Sequence, residues 1–242
     1  MNTIKKISLI CLCTFLFTTN NYAQKWYWSA YYTIADKIYD VHITKPDGFK
    51  MVSQMVSDFI INRDEPIGTF YQAALQSEDG ECLILYPIVF SHRSGSFSEG
   101  RTMTYGEIKA ALKKLEKPYD KQAIAANILL EIGGRESLEA YSNADSVFVF
   151  RCPLLAEPYQ NKYTECIGIN VSKIGFATLI TKILLTEKGK EKENEYIKTV
   201  FNNIKYGDSR FKRFDQIKFR RLKWRYQIRT LWNKNKYGKF FY

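Results

Sequence analysis

The stretch YTECIGINVSKIGFATLITKILLTEKGKEKENEYIKTVFNNI, residues 163–204, decides the fold. Tyr163 to Ser172 and Phe176 to Thr186 are rich in Ile, Val and Thr, whose branched side chains fit a pleated sheet. Lys173-Ile174-Gly175 between them is a short turn, so the two runs predict a hairpin. Glu187 to Ile204 then changes period. Ile197, Val200, Phe201 and Ile204 make one apolar stripe of a helix, which Tyr206-Gly207 ends. Glu187, Glu191, Glu193 and Glu195, set among lysines, form its solvated face.

Strands recur upstream. Ser146 to Cys152 is one. Thr69 to Gln76 and Glu81 to Phe90 flank Ser77-Glu78-Asp79-Gly80, and the Asp-Gly pair predicts a hairpin turn. Cys82-Leu83-Ile84-Leu85-Tyr86 is almost wholly apolar, which predicts a strand covered on both faces, and Pro87 ends it. Tyr39, Val41 and Ile43 alternate with Asp40, His42 and Thr44, so 38–44 reads as a strand. Lys45-Pro46-Asp47-Gly48 is a turn, and Phe49 to Val56 a further strand. The aromatic run at 26–32, WYWSAYY, reads as strand or core.

Two helices are expected in the middle. Thr104 with Glu107 matches a capping box, followed by Ile108, Ala111, Leu112 and Leu115 at helical spacing up to Pro118. The polar, glycine-containing segment His92 to Thr102 before it reads as a loop. Asp120 caps a second helix running through Ile124, Ile128 and Glu131 to Gly133-Gly134. The order is strands, two helices, strands, one helix, with hairpins outnumbering crossovers. That predicts an α+β domain, an antiparallel or mixed sheet with helices packed on it.

Lys45-Pro46-Asp47-Gly48-Phe49 leading into an early strand, with a late hairpin followed by a long helix, resembles the PsbP-like α/β/α sandwich over residues 38–206. The resemblance implies an accessory or assembly protein without catalysis. It carries no site residue across.

The two ends of the chain differ from this body. Lys5 and Lys6, the apolar run Ile7 to Phe17 and the polar stretch ending at Ala23 have the layout of a cleaved signal peptide, residues 1–23. Ile10 and Leu12 stand where a lipoprotein signal needs a small residue. Residues 24–209 are expected to form a single domain holding 22 Lys/Arg against 24 Asp/Glu, a net charge of −2. Residues 210–242 hold 12 Lys/Arg and one acid, Asp215, a net charge of +11. Asp215 caps an expected helix over 215–233, with Phe214 and Phe219 placed as a hydrophobic staple. Strict alternation of Leu222, Trp224, Tyr226 and Ile228 with polar neighbours is the competing strand signal.

Lys218, Arg220, Arg221, Lys223, Trp224, Arg225, Arg229 and Trp232 are the candidate surface-binding residues of this basic tail. Positive charge beside large aromatic rings suits an anionic membrane surface or an envelope polymer. An acidic protein partner is a second reading, and docking of the apolar stripe on the body a third. Export argues against nucleic acid.

Chemistry is sparse in the pattern. His42 and His92 lie on different elements, and Cys82, Cys152 and Cys166 share no metal-ligand spacing. Phosphate-loop, nucleophile-elbow and dinucleotide patterns do not occur, so no metal or cofactor is expected. Ser91-His92 are neighbours only in sequence, and Glu78 with Glu81 sits in a turn. Cys152 and Cys166 end one strand and begin the next, where a disulfide could close the hairpin or both could stay buried thiols. The reading is an exported, non-catalytic accessory or binding protein of the cell envelope, periplasmic or secreted. Its alternative is a secreted hydrolase with an unrecognised active site.

Overall fold

Cys82 to Tyr86 shows how a continuous apolar run is used. All five residues are buried, but Cys82, Ile84 and Tyr86 belong to one core and Leu83 and Leu85 to another. Successive side chains of a strand point to opposite faces. A strand apolar at every position therefore has to be covered twice. The computed structural model describes residues 31–33, 35–52, 71–87, 96–134, 141–152, 162–176 and 178–207. Within them this strand is β4, Cys82–Pro87, third in a seven-stranded sheet.

The other strands are β1 (Val41–Ile43), β2 (Phe49–Val52), β3 (Tyr71–Ser77), β5 (Ile128–Gly133), β6 (Ser146–Cys152), β7 (Glu165–Ser172), β8 (Leu179–Leu185) and β9 (Ile204–Tyr206). The sheet order is β2-β3-β4-β8-β7-β6-β5, antiparallel at every pairing. β1 and β9 form a separate antiparallel ribbon. Against these strands stand α1 (Phe97–Lys114), α2 (Lys121–Ala125) and α3 (Glu193–Asn202), besides a helical turn at 31–33.

The sheet is the middle of three layers. On one face Ile108, Ala111 and Leu112 of α1 and Ile124 of α2 pack on Leu83, Leu85, Phe150 and Leu184. On the other, Tyr196, Val200 and Phe201 of α3 join Val41, Ile43, Ile204 and Tyr206 of the ribbon over Ile84, Ile167, Ile169 and Ile183. This is the expected α+β arrangement, with the sheet purely antiparallel.

Much of the sequence reading holds. The 173–175 turn closes β7 onto β8, with Gly175 at φ +83° where a side chain would be strained. At the β3–β4 turn the Gly80 N–H donates to Ser77 O at 2.9 Å. Asp120 caps α2, its carboxylate accepting from the Ala123 N–H at 2.8 Å.

Four boundaries are corrected. The expected loop at 92–102 is helical from Phe97, because Ser96 is the N-cap and accepts from the Glu99 N–H at 3.3 Å. The capping box is thus Ser96 to Glu99, and Thr104 and Glu107 lie inside the helix as buried residues. The second expected helix stops at Ala125, where the Asn127 amide donates to Ala123 O at 2.8 Å. Residues 128–133 then pair with β6 instead, with a bulge between Ile128 and Leu130. At 38–44 a π-helical turn, Ala35–Tyr39, precedes β1, and Asp40 between them takes φ 55°. The long helix of 187–204 opens as a 3-10 turn, Gly189–Lys192, and Ile204 leaves it to begin β9.

The expected signal peptide at 1–23, residues 26–30 of the aromatic run, Ser91, His92 and all of 208–242 lie outside the described residues. So does the expected C-terminal helix, with Lys218, Arg220, Arg221, Lys223, Trp224, Arg225, Arg229 and Trp232. Of the aromatic run, Tyr31 and Tyr32 are described, in a helical turn with Tyr31 buried. Among the described residues no helix is long and apolar enough to cross a membrane.

Candidate functional site

Two places in the body gather polar chemistry: a seam beneath α1, and the ribbon from which the basic segment departs.

The seam follows from helix periodicity. Gly100, Thr104, Glu107, Ile108 and Ala111 share one face of α1, since residues three and four apart lie above one another. Each of the first three meets a different strand. A Cβ on Gly100 would lie 2.7 Å from the Phe148 ring of β6, so only glycine lets the helix approach there. Thr104 Oγ1 accepts from the Asn170 amide of β7 at 3.1 Å, and the same amide reaches Gly100 O at 3.2 Å. Glu107 forms an ion pair with Lys182 of β8. The hydroxyls of Ser172 and Thr178, 3.0 Å apart, extend the network, Ser172 donating to Asn170 Oδ1 at 3.4 Å.

Lys182 is 1% exposed. Besides Glu107, its ammonium lies 4.6 Å above the centre of the Phe150 ring and 4.0 Å from Cys152 Sγ. Phe150 reaches it by lying across Gly168, where an added Cβ would meet the ring at 2.2 Å. A charge in such a place is costly unless paired, and losing one partner of a buried pair costs about 3–5 kcal/mol. The pair is therefore part of the packing that fixes α1 on the sheet, with an ammonium, a carboxylate and a thiol brought together.

The sequence reading takes Glu107 as half of a capping box and assigns no role to Asn170 or Lys182. A signal was present in one case: Lys182 is the single charge within the apolar run 179–185. Of the sequence candidates, Cys152 and Cys166 are brought together as register partners of β6 and β7, as thiols. Cys82 faces the opposite core. His42 lies in β1 with Nδ1 2.8 Å from Asp36 Oδ1 and its ring half-exposed. Glu78 is in the β3–β4 turn, and Glu81 accepts from the Thr186 hydroxyl.

The second place is the root of the basic segment. β9 is the last regular element among the described residues, and it is held on several sides. The Asn143 side chain donates to Tyr206 O at 3.0 Å and accepts from the Tyr206 N–H at 2.9 Å, so one amide acts as a short strand partner. Ser142 and Asn143 both take positive φ, 56° and 48°, and Ser142 donates to Phe201 O at 2.8 Å. The Tyr206 hydroxyl donates to Val171 O in the sheet at 2.8 Å, and its ring meets Phe176 edge-on at 5.7 Å. Burial pushes the Tyr206 phenol well above its ordinary range, so it stays a neutral donor. The Gly207 N–H donates to Asp40 O at 2.8 Å, with the Asp40 carboxylate packed against the glycine.

No family model matches this chain, and no curated protein matches it. Among solved structures it is similar to the cyanobacterial PsbP protein, CyanoP, of Synechocystis sp. PCC 6803, with 10% identity and a TM-score of 0.38 over 69% of this chain and 87% of that one.

Proposed function

We propose that the chain is an exported, non-catalytic accessory protein whose body holds a basic aromatic segment at a fixed point, so that the segment contacts an anionic membrane surface or envelope polymer. The observation that supports this is where the charge changes. Residues 24–209 carry −2 and residues 210–242 carry +11, and at the ribbon strand just before that change the Tyr206 hydroxyl is tied to the sheet at Val171, the Tyr206 backbone to Asn143 in the turn before β6, and Gly207 to Asp40. A fixed root removes part of the ordering cost that a loose segment pays on binding. Basic residues near an anionic surface contribute about 1 kcal/mol each, and rings beside them enter the interface.

The test is sedimentation of the purified protein with vesicles of neutral or anionic lipid at low and high salt. Binding to anionic vesicles that falls with salt is expected. Four changes, Arg220→Gln, Arg221→Gln, Lys223→Gln and Arg225→Gln, together remove about 4 kcal/mol, a loss of several hundredfold. Equal recovery in solution with both lipids would defeat the membrane reading. Retention on an acidic polymer or an acidic protein in the same assay would redirect it.

A further inference from the structure

Three cysteines follow the expected signal peptide, and the sequence offers Cys152 with Cys166 as a pair without setting Cys82 apart from them in space. The sheet separates them. Cys82 packs in the core beneath α3 and the ribbon, whereas Cys152 and Cys166 both pack in the core beneath α1. Cys152 and Cys166 are also direct register partners. Opposed residues of antiparallel strands have Cα atoms roughly 4.5 or 5.5 Å apart, according to the kind of pair. Both spacings fall within the range of roughly 4.4–6.8 Å that a disulfide spans.

We propose that Cys152 and Cys166 form a disulfide that staples the ends of β6 and β7, while Cys82 remains the third, unlinked thiol. Cys152 is the last residue of β6, so the bond would close the connection 153–165 at its base. The oxidant is a disulfide-bearing donor, either a small-molecule disulfide or an oxidised dithiol protein. One of the two cysteines loses its proton to solvent, and its thiolate attacks a donor sulfur. A mixed disulfide forms and one donor thiolate leaves. The second cysteine, likewise deprotonated, attacks the protein sulfur of that mixed disulfide and expels the other donor thiolate. Two protein thiols are oxidised by two electrons, the donor disulfide is reduced to two thiols, and the protons end on the donor. Both thiols are buried in the closed sheet, so exchange is expected during folding or on opening of the strand ends. The biological setting rests on export to an oxidising compartment, as proposed above.

The experiment maps peptides of the chain from residue 24 onward, whose cysteines are Cys82, Cys152 and Cys166, in two arms. In the first, the protein is unfolded, reduced and refolded with oxidised and reduced glutathione, then alkylated in denaturant without reductant. The expected result is a Cys152–Cys166 linked peptide, with alkylation at Cys82 only. Alkylation at all three positions, or a link through Cys82, overturns the proposal. Cys82→Ser should leave the linked peptide unchanged; its loss also overturns the proposal. In the second arm the protein is recovered from the producing cell under alkylating conditions. A link in both arms supports pairing and export together. A link only after refolding supports the pairing and counts against export.

Discussion

On the α3 face, Tyr196, Val200 and Phe201 bury apolar and aromatic area against the ribbon and the sheet, with Phe201 on Tyr141 at 4.8 Å and Phe49 edge-on to Tyr196 at 6.2 Å. On the α1 face, Thr104, Glu107, Asn170 and Lys182 meet in the interior. The polar ties of α3 and its 3-10 turn sit at the rim instead: Arg151 with Glu193 at 3.1 Å, Lys190 with Glu165 at 3.3 Å, Lys192 with Asp79 at 3.5 Å. Apolar burial is non-directional, so one face is held by area. A buried ion pair accepts one partner in one place, so the other face is held by position as well. The difference says that α1 has a fixed register over β6, β7 and β8, and that α3 has more freedom to repack.

The sharpest way to break this comparison is Lys182→Met. It leaves the Glu107 carboxylate buried without its ammonium and should cost about 3–5 kcal/mol. Adding Glu107→Leu should restore most of that, because a buried pair replaced by apolar residues of similar volume is often neutral or stabilising. The measure is the urea midpoint, with an unchanged slope showing that the unfolded reference has not moved. A single variant that loses less than about 1 kcal/mol would put the two faces on the same footing.

A smaller effect is expected at the start of α1. Ser96→Ala removes the oxygen that accepts from Glu99 and should cost about 1 kcal/mol. The Ser-x-x-Glu and Thr-x-x-Glu patterns at 96–99 and 104–107 look alike in the sequence. If Ser96→Ala leaves the thermal midpoint unmoved, the helix starts later than Phe97.

That pair of patterns shows what the sequence could and could not disclose. The β7–β8 hairpin and the stripe of α3 were legible, because area-driven burial writes a period of two or near four into neighbouring residues. The beginning of α1 was not. Gly100 looks like a loop residue until Phe148, on a distant strand, occupies the space a side chain would need. Ile128 to Glu131 carry a period that suits a helix, and pairing with β6 overrides it. Glu107 and Lys182 stand 75 residues apart, and nothing local to either names the other. Thus the stripe of α3 was readable although its 3-10 opening and the departure of Ile204 into β9 were not, while the face held by position was misread at its helix start and its ion pair went unread. The basic segment was legible as composition alone, which is why its root, tied through Asn143 to β9, had to come from the structure.

The smallest effect tests the rim. Asp79 Oδ1 accepts from Ser77 Oγ at 2.6 Å and from the Glu81 N–H at 3.1 Å, and Oδ2 lies 3.5 Å from Lys192 Nζ. The Ser77 hydrogen bond first, then the Glu81 N–H and Lys192, hold its carboxyl below the ordinary range. A carboxyl that titrates lower in the folded than in the unfolded chain stabilises the fold above its unfolded value, about pH 3.9. That contribution is lost as pH falls through the lower folded value. The side chain is 41% exposed, so screening keeps the effect modest. Asp79→Asn should therefore lower the thermal midpoint slightly at neutral pH, and the two proteins should converge as pH drops below the carboxylate range. Raising the salt concentration should remove only the share owed to Lys192, because the Ser77 and Glu81 donors are local hydrogen bonds rather than a distant charge. A gap that stays constant with pH would mean that Asp79 acts through the shape of the β3–β4 turn and not through its charge. The rim would then resemble the α1 seam, in which position counts for more than electrostatic gain.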